Sequence, residues 1–152
     1  MAFTNVGALT GAEEEAFQYL RVALSGTAGQ DCFKGAMPAA HEAWFFAING
    51  GPDPSYADCL GSRPWPAWIM GAELGGWYAE RADAQAIIEL ILDAVPAGLN
   101  QGDTGGNMEC IQTLRLDSIP TLDLVIKEFK GESHYVWELT AVFQIVLNAL
   151  TV

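Results

Sequence analysis

Tyr135-Val136-Trp137-Glu138-Leu139-Thr140-Ala141-Val142-Phe143-Gln144-Ile145-Val146-Leu147 is the longest regular pattern in the chain. Its odd-numbered positions are aromatic or aliphatic throughout, while its even-numbered positions mix Val with Glu, Thr and Gln. Strict period-two alternation over this length is the mark of a β-strand, because successive side chains leave a strand on opposite faces. Val136, Val142 and Val146 make the second face partly apolar as well. A long apolar strand left as a bare edge would promote aggregation. The pattern therefore predicts a strand flanked on both sides, by strands of its own chain or by a neighbouring subunit.

Upstream of it, Lys130-Gly131-Glu132-Ser133 reads as a turn. Leu122, Leu124 and Ile126 alternate with Asp123, Val125 and Lys127 in a second strand. Residues 111–116 give a third, set apart by Asp117-Ser118-Ile119-Pro120. The Gly-, Asn- and Asp-rich residues 98–107 read as a flexible loop or hairpin tip. Residues 83–95 are predicted to be a helix capped by Asp83 and stopped by Pro96. With Ile87, Ile88, Leu90, Ile91, Leu92 and Val95, it is apolar almost all round and is expected to be well buried.

Residues 68–74 alternate as a strand that continues through Gly75-Gly76 to Trp77-Tyr78, with the glycine pair suggesting a bulge or bend. Residues 44–48 form a short strand closed by the turn residues Asn49-Gly50-Gly51-Pro52. The proline-rich residues 52–66 read as an irregular excursion, and residues 26–43 as a connecting loop. At the start, Thr10 and Glu13 match a capping box, with Glu13, Glu14 and Glu15 favoured at a helix N-terminus. Ala16, Phe17, Leu20, Ala23 and Leu24 then form an apolar stripe, and Ser25-Gly26 a C-cap, which gives a helix over residues 11–25.

The resulting order is α-β-β-α-β-β-β. Helices and strands are segregated, which predicts an α+β fold: a mostly antiparallel sheet of about five strands with two helices packed on one face. At 152 residues, with no internal repeat or linker, the chain is expected to form one domain spanning residues 1–152.

Composition narrows the function classes. A hydrophobic fraction of 51% with 17% charged residues excludes a mostly disordered chain. Nineteen acidic residues against seven basic ones give a net charge of −12, which disfavours a phosphate-binding groove and an anionic membrane surface. Three cysteines, Cys32, Cys59 and Cys110, form no CxxC pair and imply no disulfide framework, so reduced thiols in the cytoplasm are expected. The N-terminal residues lack the pattern of a signal peptide, and no apolar run approaches the roughly 20 residues that span a bilayer.

Motifs for chemistry are few. His41-Glu42 begins like a zinc-protease helix, but Phe45 stands where the second histidine ligand would be. His134 has no metal-ligand spacing to other residues. The glycines between Gly102 and Gly106 lack the Lys-Ser/Thr ending of a phosphate loop, and Asp103 would repel phosphate. No Ser or Cys sits in a nucleophile elbow. The sequence thus assigns no catalytic residue, no metal and no cofactor.

The order of elements resembles that of the tail terminator proteins of long-tailed bacteriophages, as in phage lambda. The likeness is carried by the opening helix from Thr10 to Leu24, the two strands that follow, the central helix from Asp83 to Val95 and the closing strand from Tyr135 to Leu147. The segment from Pro52 to Pro66 is an insertion relative to the simplest members. The resemblance implies a non-enzymatic virion assembly protein, made in the host cytoplasm and placed at the tail-neck region. It implies a homohexameric ring that caps the tail tube, stops its polymerisation and joins it to a head-tail connector or neck protein. DNA would pass through such a ring without specific binding.

On that reading, subunit or tube contacts are expected on two loops. Asp53, Tyr56, Arg63 and Trp65 belong to the first; Asn100, Gln101, Asp103 and Thr104 belong to the second. Other classes stay open at this point: another neck protein, a small acidic enzyme whose site assembles from distant residues, or a ligand-binding domain with a closed apolar cavity.

Overall fold

The computed structural model describes residues 7–24, 31–35, 43–55, 67–95, 98–100 and 109–147. Its elements in chain order are α1 (Gly7–Ala23), β1 (Asp31–Lys34), β2 (Ala43–Ser55), β3 (Ala67–Tyr78), α2 (Arg81–Ala94), β4 (Leu99–Asn100), β5 (Ile111–Leu116), β6 (Thr121–Phe129) and β7 (Glu132–Leu147).

β7 organises the sheet. One of its edges pairs with β3 over ten residues, from Tyr78↔Trp137 to Ile69↔Val146. The other edge is shared end to end: β6 takes residues 132–140 and β5 takes Phe143 to Leu147. The main path is β1-β2-β3-β7-β5-β4, with β6 branching from β7. The strand read from alternation alone is thus the central strand, flanked by strands of its own chain.

The rest of the expected architecture is corrected. The fold is a curled, mixed half-barrel sheet of seven strands with two helices, not a mostly antiparallel five-stranded sheet with helices on one face. β1 runs parallel to β2 and lies in the stretch expected to be a loop. β4 is only two residues long and lies in the other expected loop. Neither is long enough to show a period; long-range pairing alone fixes them.

Local corrections have equally local causes. β2 does not turn at residues 49–52 but runs on to Ser55, absorbing the extra residues as register shifts between Ile48 and Asp53. Gly51, at φ 89°, supplies one of the backbone angles this needs, and a Cβ there would meet the carbonyl oxygen of Ile69 at 2.5 Å. The bond between Gly51 and Pro52 is cis. Gly75-Gly76 makes no bulge, since β3 stays in register with β7 through both. Gly75 instead leaves room for the Phe45 ring. The turn before β7 is tighter than expected, only Lys130-Gly131, with φ of 51° and 81°. Two consecutive positive φ values mark a type I′ hairpin turn.

The helices both begin earlier than expected. α1 starts at Gly7, so Thr10 is inside it and the acidic cluster Glu13–Glu15 lies beyond its first turn. Ser25 and Gly26 lie outside the described residues. α2 starts at Arg81 with Glu80 at the N-cap, and Asp83 falls in its first turn instead of capping it. It is one-sided, not apolar all round: Ala84, Ile87 and Ile91 are buried while Glu89, Leu92 and Asp93 are exposed.

The core is built jointly by the two helices and the curled sheet. Ala12, Ala16, Phe17, Leu20 and Leu24 of the first helical segment meet Ala84, Ile87, Ile91 and Val95 of the second. Beneath them are Trp44 and Phe46 of β2, Leu74 and Tyr78 of β3, and Leu139, Ala141, Phe143, Ile145 and Leu147 of β7. Phe17 tilts against Trp44 at 5.8 Å between ring centroids, and Phe46 against Phe143 at 6.2 Å. The Tyr19 hydroxyl donates to the carbonyl of Ala94 at 3.1 Å, joining α1 to a carbonyl at the end of α2 that has no partner within its own helix. No described polar or charged residue is buried, so apolar burial is the main term holding this core.

Candidate interaction surfaces

The two expected contact loops leave the same end of the sheet. Asp53 pairs with Ile69, Ile69 with Val146, Val146 with Thr113, and Thr113 with Asn100. Cross-strand partners share a face, so Asp53 and Asn100 stand in one row on the face opposite the core. Four strand spacings separate them, roughly 19 Å along the sheet. Both are exposed, and the Thr113 hydroxyl donates to Asn100 Oδ1 at 3.2 Å. Ser55 pairs with Ala67, so the chain leaves and re-enters the sheet at one point on either side of residues 56–66. Tyr56, Arg63, Trp65, Gln101, Asp103 and Thr104 lie outside the described residues.

Asp53 also borders an open depression of about 380 Å³ on this outer face, with Asn49, Ile69, Asp117, Val142 and Gln144. Gln144 organises its wall: Arg115 Nε donates to Gln144 Oε1 at 2.9 Å, and Gln144 Nε2 donates to Asp117 Oδ1 at 2.9 Å. One amide thus bridges a cation and an anion across β5 and β7. The depression is open and lined by polar and apolar groups alike, unlike an enclosed apolar ligand cavity.

The other end of the sheet is the β6–β7 hairpin. β3 stops at Tyr78, opposite Trp137, so among the described strands residues 132–136 of β7 have only β6 beside them. On its outer face the hairpin is anchored. Phe129 and Val136 are buried, and Phe129 meets Trp77 edge-on at 6.0 Å. Trp77 Nε1 donates to Glu138 Oε2 at 2.8 Å, while Lys127 Nζ lies 4.9 Å over the Trp77 ring and 3.6 Å from Glu138.

The core face of the same hairpin runs out beyond the helices. There Leu124, Ile126 and Tyr135 are 54%, 61% and 71% exposed. Trp137 is half-buried, with the Arg81 guanidinium 5.7 Å over its ring.

Sequence reasoning missed the tertiary use of the acidic cluster in α1. Glu14 pairs with Lys34 of β1 and accepts from Gln18 Nε2 at 2.9 Å; the contact with the Lys34 ammonium holds its carboxyl below the usual range. Glu15 accepts from the backbone N–H of Glu109 and from that of Cys110 at 2.9 Å, fixing the entry to β5. Burial, followed by the Glu15 charge, pushes the Cys110 thiol above its ordinary range. No local pattern distinguishes these carboxylates from helix-dipole partners, because their donors arrive from 20 or 95 residues along the chain.

Other chemistry is sparse. His41 lies outside the described residues, and His134 Nε2 is 3.6 Å from Glu132 Oε2 on the hairpin surface. Among the described residues no three of His, Cys, Asp and Glu cluster as metal ligands. No described helix is long and apolar enough to cross a membrane. No protein-family model matches the chain, and no curated protein resembles it significantly.

Proposed function

We propose that the chain is a virion assembly protein of the tail-terminator type, acting by binding and geometry and not by catalysis. It would assemble as a ring of about six copies on the tail tube tip, halting tube growth and presenting a surface to a neck protein. Tail tube and neck protein are its proposed partners, and the DNA passing through would be repelled by the net charge of −12. The resemblance in element order suggests this reading. The observation that best supports it is the placement of Asp53 and Asn100 in one row, so that both expected contact loops leave a single end of the subunit. A subunit with its loops at one end and a hairpin at the other suits head-to-tail closure, in which two different surfaces meet.

The test is the solution mass of the purified protein by light scattering, with negative-stain imaging, alone and with tail tubes. Rings of about six subunits around a central hole, or protein seated on tube tips, are expected. A protein that forms no ring and binds no tube end overturns the proposal.

A further inference from the structure

β6 pairs only with β7, so among the described residues one edge of it carries no strand. The type I′ turn makes Phe129 and Glu132 a hydrogen-bonded pair, and antiparallel ladders alternate bonded and non-bonded pairs. The backbone groups of Leu122, Leu124, Ile126 and Glu128 therefore point away from β7, toward the open edge. The side chains of Leu124 and Ile126 are also largely exposed. An edge with free backbone groups and apolar side chains is a pairing surface.

The sequence of β6, Thr121-Leu122-Asp123-Leu124-Val125-Ile126-Lys127-Glu128-Phe129, says what fits it. Laid antiparallel on itself about Val125, it sets Asp123 opposite Lys127, Leu124 opposite Ile126, and Val125 opposite Val125. This register also brings outward-pointing backbone groups together, at Leu124 with Ile126 and at Leu122 with Glu128. A two-fold centred one residue away, on Leu124 or Ile126, sets Lys127 against Thr121 or Val125 and gives Asp123 no cation.

We propose that a second copy of this chain docks along this edge, β6 on β6 in antiparallel register, with the two-fold axis at Val125. Charge complementarity supports that occupant. Within one chain Asp123 stands opposite Glu138, a like charge, and has no ion pair among the described residues. The nearby ammonium, Lys127, is already directed to Glu138 and Trp77. In the proposed register Lys127 of the second copy stands opposite each Asp123, so its ammonium is shared between that carboxylate and its own Glu138. On the other face, Tyr135 and Ile126 of one copy continue into Leu124 and Trp137 of the other, forming two apolar rows across four strands.

The pairing is isologous and does not rest on the ring reading, whose interfaces join unlike surfaces. A single strand pair buries less than the roughly 1,600 Å² of a standard interface, so the dimer is expected at micromolar strength or weaker.

Sedimentation of the full chain in about 0.15 M salt, where repulsion is screened beyond ~8 Å, tests it. The mass should rise with concentration from 16.3 kDa toward twice that value. Asp123→Lys, which sets two cations face to face, should weaken dimerisation at least about tenfold, the equivalent of ~1.4 kcal/mol, with no loss of thermal stability, since within one chain the new Lys faces Glu138. Combining it with Lys127→Asp should restore the dimer. Hydrogen exchange gives an independent readout: the amides of Leu124 and Ile126 should slow as concentration rises. A wild type that stays monomeric with fast-exchanging amides overturns the pairing and leaves the edge to some other strand. A wild type that forms rings untouched by Asp123→Lys overturns it too, while leaving the ring reading intact.

Discussion

At Gly75 a single methyl group has nowhere to go. A Cβ there would lie 2.6 Å from Cε1 of Phe45, on the neighbouring strand. Gly75→Ala is therefore expected to cost about 1–3 kcal/mol through overpacking. Phe45 is only half-buried, so its ring is the part able to yield. Combining Gly75→Ala with Phe45→Ala should cost clearly less than the sum of the two single changes, as read from denaturant unfolding in a double-mutant cycle. Strict additivity would mean that the ring does not set the need for glycine. The sequence shows a glycine pair in a strand, and bulges are the common reason for one. The actual reason is a ring whose partner position depends on the β2–β3 register, which no short window contains. The same holds for Glu14 and Glu15, whose partners come from β1 and from the start of β5.

Among the elements, legibility followed length and period. β5 was readable to the residue because its run is bounded by turn residues on one side. β6 and β7 show clean alternation, and only the turn between them is shorter than its polar residues suggest. β1 and β4 carry no readable pattern in four and two residues. The hairpin turn also carries a prediction. Lys130 holds a φ of 51°, a conformation that costs an ordinary side chain about 1–2 kcal/mol, and Asn tolerates it better. Lys130→Asn would give the Asn-Gly pair that type I′ turns favour. It should stabilise the protein by up to about 1 kcal/mol, whereas Gly131→Ala, at φ 81°, should destabilise it by about 1–2 kcal/mol. Thermal unfolding of the two variants checks both signs. If both shift the same way, the turn is not what sets the hairpin's conformation.

For the whole molecule, the curl and the branching of the sheet were beyond local reading. They follow from β7 being long enough to serve two strands on one edge, and from register shifts that let β2 stay paired past Ile48. Overall charge, by contrast, is fully legible and predicts behaviour directly. A net charge of −12 opposes the compact state through self-repulsion. Described cation–carboxylate pairs are few, namely Lys34 with Glu14 and Lys127 with Glu138, and both are partly solvent-exposed. Screening should thus relieve more repulsion than it removes attraction. Raising sodium chloride from about 10 mM to about 150 mM shortens the screening length from ~30 Å to ~8 Å. A relief of about 1 kcal/mol would raise the unfolding midpoint by roughly 2–4 °C in a chain of this size. The measurement belongs at low micromolar protein, so that pairing along β6 adds nothing, and below the salt range where apolar burial itself strengthens. A midpoint that stays flat or falls would show that the acidic residues sit far enough apart, or close enough to cations, for net charge to be irrelevant to stability. The repulsion invoked to keep DNA off the ring wall would then lose its clearest support, because the same field underlies both effects.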